Sequence, residues 1–494
     1  MAYDSFQQFL NRLEAEGELI RIRQEVRTEL EITEIADREM KKPGGGKALL
    51  FEKPTIDGKV SAFPVAINTM GSTRRMAMAL GIESIDELVE QMQFILKAKP
   101  PTNLREAFKL AVQGMDLLNA KPKKVKDGPC KEVIHHFGSP SAGMPITTLH
   151  DLPILKCWPD DGGRFITFPN VFTRDPDTGE RNLGMYRMQV YDDRTTGMHW
   201  QIHKVGARHG KRYYERGEKM PVAVCIGGDP AYTFAATAPL PDGLDEILFA
   251  GFIRKQNVPL VRCETIDLEV PADSDFVLEG YVDPAELRPE GPFGDHTGFY
   301  TPVEDYPVFH LTAITHRRNA VYPCTIVGPP PMEDFYMGTA SVQIFLPVFK
   351  MNFPEIVDIA LPAEGVFHNL VVVSIRKQYP YQAFKIMHGL WGMGQMMFSK
   401  YIIVVDEDCD VHNTSEVLFR LCSNTDPERD TSVIHNPADA LDHAPNLPNK
   451  STHMGFDATR KLASEGYLRT WPNLATMSPD VKARVDEILN AESH

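Results

Sequence analysis

Two short runs constrain this chain more than any other feature: Leu370-Val371-Val372-Val373-Ser374-Ile375 and Tyr401-Ile402-Ile403-Val404-Val405. Both are β-branched and almost wholly apolar, a composition that suits a pleated backbone. A strand with one wet face alternates apolar and polar residues, whereas a strand buried on both faces does not. The runs therefore predict strands inside a sheet covered by helices. Helical stretches alternate with them, and Asn413-Thr414-Ser415-Glu416 opens the helix after the second run. Residues 321–460 read as an α/β domain.

The beginning of the chain has the same mixed character. Phe6, Phe9, Leu10 and Leu13 recur at helical spacing, and Gly17 sits where a C-cap glycine belongs. A second helix covers roughly Glu31 to Met40 and stops at Pro43-Gly44-Gly45-Gly46, after which Ala48 to Phe51 reads as a buried strand. Ser84 and Glu87 form a capping box for a third helix, which Pro100-Pro101 ends. Residues 1–120 thus form an N-terminal α/β domain. From about Lys121, short apolar strands separated by Gly, Pro and Asp turns (Asn182–Tyr191, Pro221–Ile226, Val258–Cys263) predict a β-rich middle domain over 121–320. The stretch from Asn436 to Trp471 has little periodicity. Residues 461–494 are read as a tail in which Ser478-Pro479 starts a lone amphipathic helix bearing Val481, Val485, Ile488 and Leu489. Such a helix buries nothing alone and is expected to dock on a second subunit.

Composition narrows the function classes. A net charge of −15 argues against a nucleic-acid track. The seven cysteines are scattered and contain no C-x-x-C, against both a disulfide scaffold and a zinc ribbon. The start, Met1-Ala2-Tyr3-Asp4, lacks the basic and apolar regions of a signal peptide, and no apolar run approaches a membrane span. The expectation is a soluble, cytoplasmic protein with no transmembrane segment.

Some motifs carry little. Pro43-Gly44-Gly45-Gly46-Lys47 lacks the order of a phosphate loop, and Gly389-Leu390-Trp391-Gly392-Met393-Gly394 lacks that of a dinucleotide fingerprint. The first reads as a plain loop and the second as close helix packing. His135-His136 reads as a surface pair.

Two segments carry chemistry. Asn182-Leu183-Gly184-Met185-Tyr186-Arg187 is strand-like and bears an amide and a guanidinium. Glu290-Gly291-Pro292-Phe293-Gly294-Asp295-His296-Thr297-Gly298 holds two carboxylates in a tight loop. Carboxylates brought close repel, so one tends to stay protonated as an acid. A nearby arginine would pin the other and present a fork to an acidic substrate. On residue types alone, the loop also reads as a solvated turn.

Together these two segments resemble the signature of the UbiD family of reversible decarboxylases. Leu19-Ile20-Arg21-Ile22 with Glu31-Ile32-Thr33-Glu34-Ile35-Ala36-Asp37 resembles the family's opening. Asp267-Leu268-Glu269-Val270-Pro271-Ala272, Phe353-Pro354-Glu355-Ile356-Val357-Asp358 and Met454-Gly455-Phe456-Asp457-Ala458-Thr459 resemble its later signatures. The order is most similar to the polyprenyl-hydroxybenzoate carboxy-lyase branch of quinone biosynthesis. The resemblance implies a split-barrel-like middle domain that binds prenylated FMN. It implies a Mn²⁺ or Mg²⁺ ion on Asn182, His203 and Glu246, with K⁺ as a further ion. His199 and His209 flank His203 and read as structural. Asn182, Arg187, Thr237, Glu246 and Lys400 are the implied cofactor contacts, with Lys400 on the flavin phosphate. Arg187, Glu290 and Asp295 match the catalytic set, with Asp in a last position that the family fills with Asp or Glu.

The implied reaction is non-oxidative decarboxylation of an aromatic or α,β-unsaturated acid, and the branch resemblance implies a (polyprenyl)hydroxybenzoate-type acid of quinone biosynthesis. Loss of CO2 from an sp² carbon needs an electron sink that side chains cannot supply. Arg187 is expected to orient the substrate carboxylate and Asp295 to deliver the proton. The family further implies a flavin prenyltransferase as cofactor supplier and a homo-oligomer, dimer or hexamer. Two alternatives stand beside this reading: a small phenolic, heteroaromatic or naphthoate substrate, and a non-catalytic flavin-binding homologue.

One geometric tension follows. Asn182 and Arg187 are an odd number of residues apart, so a regular strand would send them to opposite faces. Either Gly184 hosts a bulge or Asn182 precedes the regular strand.

Overall fold

The computed structural model describes residues 2–97, 120–137, 147–201, 204–240, 243–366 and 368–492. Pro100-Pro101 and His203 lie outside them. The chain is mixed α/β, built on three principal sheets.

The first helix, Phe6–Ala15, starts where Ser5 caps Gln8 N and buries Phe6, Phe9, Leu10 and Leu13. Its apolar face packs in one cluster with Ala48 and Leu50 of the strand Ala48–Ile56. That strand lies between Leu19–Arg27, parallel to it, and Val65–Ile67, antiparallel. The Pro43–Gly45 turn is tied down from within. Arg75, fully buried, and Asn68 both donate to Gly45 O, at 3.0 and 2.8 Å. This turn spends its carbonyls on the fold. Ahead of the helix Ile85–Lys97 the cap is offset: Ser84 Oγ accepts from Asp86 N at 3.2 Å, while Glu87 reaches back to Glu83 N at 2.7 Å.

The central sheet is antiparallel and runs in the order Thr195–Gly197, Glu304–His316, Phe276–Glu290, Met220–Ile226, Asn170–Arg174, Arg181–Met185, with Val133–His136 also paired to Glu304–His316. In that edge strand His135 stacks on His316, ring centroids 5.5 Å apart. The surface-pair reading of His135-His136 therefore fails for His135. The chain then returns to the first sheet at Tyr322–Pro323, which pairs with Val65 and Ala66. The helix Glu333–Asn352 follows and packs on Ile85–Lys97.

The last sheet runs Ile356–Ala360, Leu370–Ile375, Tyr401–Asp406, Ser451–Asp457, Thr431–Asn436. Leu370–Ile375 and Tyr401–Asp406 are parallel interior strands, buried on both faces as their composition predicts. Gly389 faces Phe353 so closely that a Cβ would stand 2.4 Å from its ring, which accounts for the glycine in that helix. The stretch read as irregular after Asn436 contains a strand, Ser451–Asp457, parallel to Tyr401–Asp406. Its residues alternate in burial and mix Ser, Thr, His and Asp with Met and Phe, so no apolar run marks it. The terminal helix Pro479–Glu492 forms, with Val481, Val485, Ile488 and Leu489 between 39% and 60% exposed. Among the described residues its apolar side belongs to none of the core clusters. Among the described residues no helix is long and apolar enough to cross a membrane.

Candidate active site

The predicted strand Asn182–Tyr191 is two strands, and the break resolves the facing problem. Arg181–Met185 pairs with Asn170–Arg174 in unbroken register, so Gly184 hosts no bulge and Asn182 lies within the strand. The chain leaves that sheet after Met185. Met188–Gln189 pairs instead with Phe165–Ile166. Tyr186 and Arg187 form the crossover, which frees Arg187 from strand alternation.

The acid loop begins where the long strand Phe276–Glu290 ends. Gly291 turns the chain at φ 102°, a value that L side chains rarely adopt. A Cβ on Gly294 would stand 2.3 Å from the Trp158 indole, so the loop can lie flat on that ring only as glycine. Gln189 Oε1 accepts from Gly291 N at 2.7 Å, and Asp161 Oδ1 accepts from Gly294 N at 2.8 Å. The short pairing of Phe293–Gly294 with Tyr300–Thr301 then brings Asp295 beside Glu290.

Arg187 joins the two carboxylates. Its Nε and Nη2 donate to Glu290 Oε1 and Oε2 at 2.9 and 3.0 Å, a bidentate pair. Its Nη1 donates to Asp295 Oδ2, and Nη2 also donates to Thr301 Oγ1 at 3.1 Å. The guanidinium lies over the Phe293 ring, 4.6 Å from its centroid. Glu290 is wholly buried and Asp295 nearly so. Two histidines flank the cluster: His199 Nδ1 lies 3.2 Å from Glu290 Oε2, and His296 Nδ1 lies 3.0 Å from Asp295 Oδ1.

This arrangement changes the expected electrostatics. Burial alone would raise both carboxyls, but His199 and Arg187 bring Glu290 down to about 2. Arg187 and His296 likewise outweigh burial and hold Asp295 well below the usual range. Neither carboxyl stays protonated, because one guanidinium pins both rather than one. Burial depresses His199, with Arg187 adding to it, so this imidazole is neutral. For His296 burial is outweighed by the Asp295 carboxylate, and its pKa is raised. The expected fork for an acidic substrate is also spent. Among the described residues four of the five guanidinium N–H groups are engaged, leaving one on Nη1.

Asn182 and Glu246 come together. Glu246 opens the helix Glu246–Arg254, and its Oε2 accepts from Leu183 N at 3.0 Å, next to Asn182. Burial pushes this carboxyl up to about 7. The amide of Asn182 is set from behind. Its Nδ2 donates to Thr173 Oγ1 at 3.2 Å, and Thr173 Oγ1 lies 3.0 Å from His209 Nδ1. His209 Nε2 in turn is 3.7 Å from Asp175, which Arg212 also engages. With the imidazole proton on Nε2, the Thr173 hydroxyl donates to Nδ1 and accepts from the amide. That polarity turns the Asn182 oxygen away from Thr173. An amide oxygen and a carboxylate are hard donors that suit Mn²⁺ or Mg²⁺ and a phosphate oxygen. His203 lies outside the described residues. Among the described residues no three His, Cys, Asp or Glu side chains gather around a metal position; the expected set needs only one of them besides His203 and an amide.

Thr237 follows the helix Pro230–Ala235, beside Ala236, whose carbonyl accepts from Met185 N at 3.2 Å. Its hydroxyl donates to Phe234 O at 2.8 Å. Lys400 is paired with Asp442, 2.7 Å away. That contact belongs to the segment after Asn436, which closes over the acid loop: His443 packs on Phe299 with ring centroids 4.1 Å apart. Asp439 binds His368 Nε2 at 3.2 Å, and the His368 ring meets that of His296 edge-on at 5.1 Å.

Sequence reasoning passed over His296, Thr301, Thr173 and Asp439. His296 was adjacent to the acid and could have been found by asking what balances two clustered carboxylates. The others are joined to the site only by pairings between distant segments.

The class of protein that carries this fold and this buried Arg–Glu–Asp cluster follows from comparison with known proteins. Models of the 3-octaprenyl-4-hydroxybenzoate carboxy-lyase N-terminal, Rift-related and C-terminal domains match residues 10–95, 123–330 and 335–458. The chain belongs to the UbiD family of carboxy-lyases. It is 50% identical over 492 residues to an uncharacterized protein of Archaeoglobus fulgidus, covering 99% of this chain and 98% of that one. Among solved structures it resembles the vanillic acid decarboxylase of Sedimentibacter hydroxybenzoicus in closed form, with TM-score 0.84, 27% identity and 99% of each chain covered. It also resembles the UbiD-class enzyme HmfF of Pelotomaculum thermopropionicum in complex with prFMN, with TM-score 0.77, 25% identity and 97% and 98% covered.

Proposed function

We propose that this carboxy-lyase removes CO2 non-oxidatively from an aromatic or α,β-unsaturated acid, using prenylated FMN held through Mn²⁺ or Mg²⁺. The observation that carries the reading is the buried cluster of Arg187 with Glu290 and Asp295, which a non-catalytic flavin carrier would have no reason to maintain. The likeness to an enzyme bound to prFMN supports the cofactor. Asn182, His203 and Glu246 would hold the metal, and Lys400 and Thr237 would contact the flavin, with K⁺ as an accessory ion. When bound, prenylated FMN supplies the electron sink for the carbon that loses CO2. A flavin prenyltransferase supplies it, and the terminal helix joins copies into a homo-oligomer. The division at about 120, 320 and 460 is kept as the domain organisation.

The residues then act as follows. Arg187 offers its remaining Nη1 N–H to the substrate carboxylate while staying fixed by Glu290. His199 and Thr301 hold that pair in place. Asp295 hands a proton to the carbon that CO2 has left.

For the substrate we favour a compact phenolic acid. The segment that packs on the acid loop through His443 also carries Asp439 and Asp442, polar and charged groups that are a poor neighbourhood for a long isoprenoid chain. A polyprenyl-hydroxybenzoate in quinone biosynthesis is the second reading, and the matched family's own description favours it. The test is CO2 release by the holoenzyme from vanillate, 3,4-dihydroxybenzoate, 4-hydroxybenzoate and a 3-prenylated 4-hydroxybenzoate. Turnover of the unprenylated acids alone supports the compact reading, and preference for the prenylated acid reverses it. No CO2 from any unsaturated acid supplied to flavin-loaded enzyme would count against decarboxylation itself.

A further inference from the structure

The reaction needs one proton for each CO2 released, yet the group positioned to give it is held as a carboxylate. Arg187 Nη1 and the backbone N–H of His296 both donate to Asp295, which leaves no proton there at rest. A proton must therefore reach Asp295 from a neighbour during turnover.

From this geometry, and resting on the decarboxylase reading, we infer that His296 is the proton store of the site, passing its Nδ1 proton to Asp295 Oδ1 as Asp295 protonates the product carbon. The two groups are within reach of each other, with Nδ1 3.0 Å from Oδ1. The surroundings favour the charged ring. Besides Asp295, it faces Asp334 from the helix Glu333–Asn352 and Asp439 from the closing segment, with His368 edge-on as the other ionisable ring. Those three acids outweigh burial, and the ring holds its proton more tightly than a free histidine. Asp439 is itself held ionised against burial by its contact with His368, so its charge is present when needed.

The transfer balances. The His296 Nδ1–H bond breaks as an Asp295 O–H bond forms, leaving a neutral imidazole. That O–H bond breaks as the product C–H bond forms, returning Asp295 to a carboxylate beside Arg187. The imidazole then takes a proton from water, for a net uptake of one proton per turnover. Nothing is oxidised or reduced. His296 acts through Asp295 and is a positioning residue in that sense.

Asn at position 296 separates this role from a structural one, because its amide can still donate to Asp295 but stores no proton. In the flavin-loaded holoenzyme, His296→Asn is expected to lower kcat by about 10²-fold, in line with general acid catalysis, with KM and bound flavin kept within about twofold. The fall in wild-type kcat with rising pH, as His296 loses its proton, should vanish in the variant. A second readout needs no turnover: ¹⁵N-histidine NMR of the holoenzyme should show an imidazolium signal near neutral pH that His296→Asn removes and Asp295→Asn makes neutral. A variant that keeps kcat within about threefold and the same pH limb would overturn the inference, as would a His296 that is neutral from pH 6 upward. If the wild type decarboxylates nothing, the functional reading falls, while the NMR result still decides where the proton resides.

Discussion

Replacing Glu290 by Gln keeps the shape of the side chain and one acceptor oxygen but removes its charge from a fully buried position. Bringing this carboxyl from 4.5 to about 2 in the folded state is worth about 3.5 kcal/mol, at about 1.4 kcal/mol per pH unit. Loss of one partner from a buried ion pair gives a similar figure, about 3–5 kcal/mol. The sign follows from the depressed pKa. The folded state favours the ionised carboxyl, so the contribution is fully present above pH 4.5 and is lost as pH falls toward about 2. Thermal unfolding of the central region is the assay. At pH 7 the variant's midpoint should fall by about 7–14 °C, at about 2–4 °C per kcal/mol for a region of this size. Below pH 4.5 the gap to wild type should narrow steadily. An unchanged midpoint at pH 7, or a gap that stays constant from pH 7 to pH 3.5, would refute the claim that Glu290 is held ionised by Arg187 and His199.

Asp295→Asn should cut kcat by about 10²-fold or more, since the amide cannot carry the proton, and stopped-assay CO2 release checks this. Thr173→Val should weaken Mn²⁺ binding by about 10–100-fold in calorimetric titration of the apoprotein, because the Asn182 amide loses the acceptor that sets its orientation. If Lys400 holds the flavin phosphate as proposed, Lys400→Met should weaken FMN binding about tenfold or more, and Asp442→Asn should strengthen it by releasing the lysine from its ion pair; flavin fluorescence quenching reads both. Deleting residues 478–494 should convert the assembly to a smaller species in light scattering, since it removes the exposed Val481, Val485, Ile488 and Leu489 face.

Much of the fold was legible where one segment's composition dictates its environment. The β-branched runs at Leu370 and Tyr401 could only be interior strands, and the spacing of Phe6, Phe9, Leu10 and Leu13 could only be one helix face. The strand Ser451–Asp457 was not legible, because it lies next to the parallel strand Tyr401–Asp406 yet alternates like a surface strand. The identities of Arg187, Glu290 and Asp295 could be read from their motifs. Their protonation could not, since it depends on a single guanidinium reaching both carboxylates across a break between two sheets. Read from spacing, His199 and His209 were structural histidines. One in fact touches Glu290, and the other sets Asn182 through Thr173. Only strand pairing reveals such contacts.

The most direct test of the account is the mass spectrum of flavin released from protein co-expressed with a flavin prenyltransferase, taken together with bound manganese, for wild type and Glu246→Gln. The account predicts prenylated FMN and manganese in wild type and loss of both in the variant. Wild-type protein that carries no flavin under those conditions would contradict it.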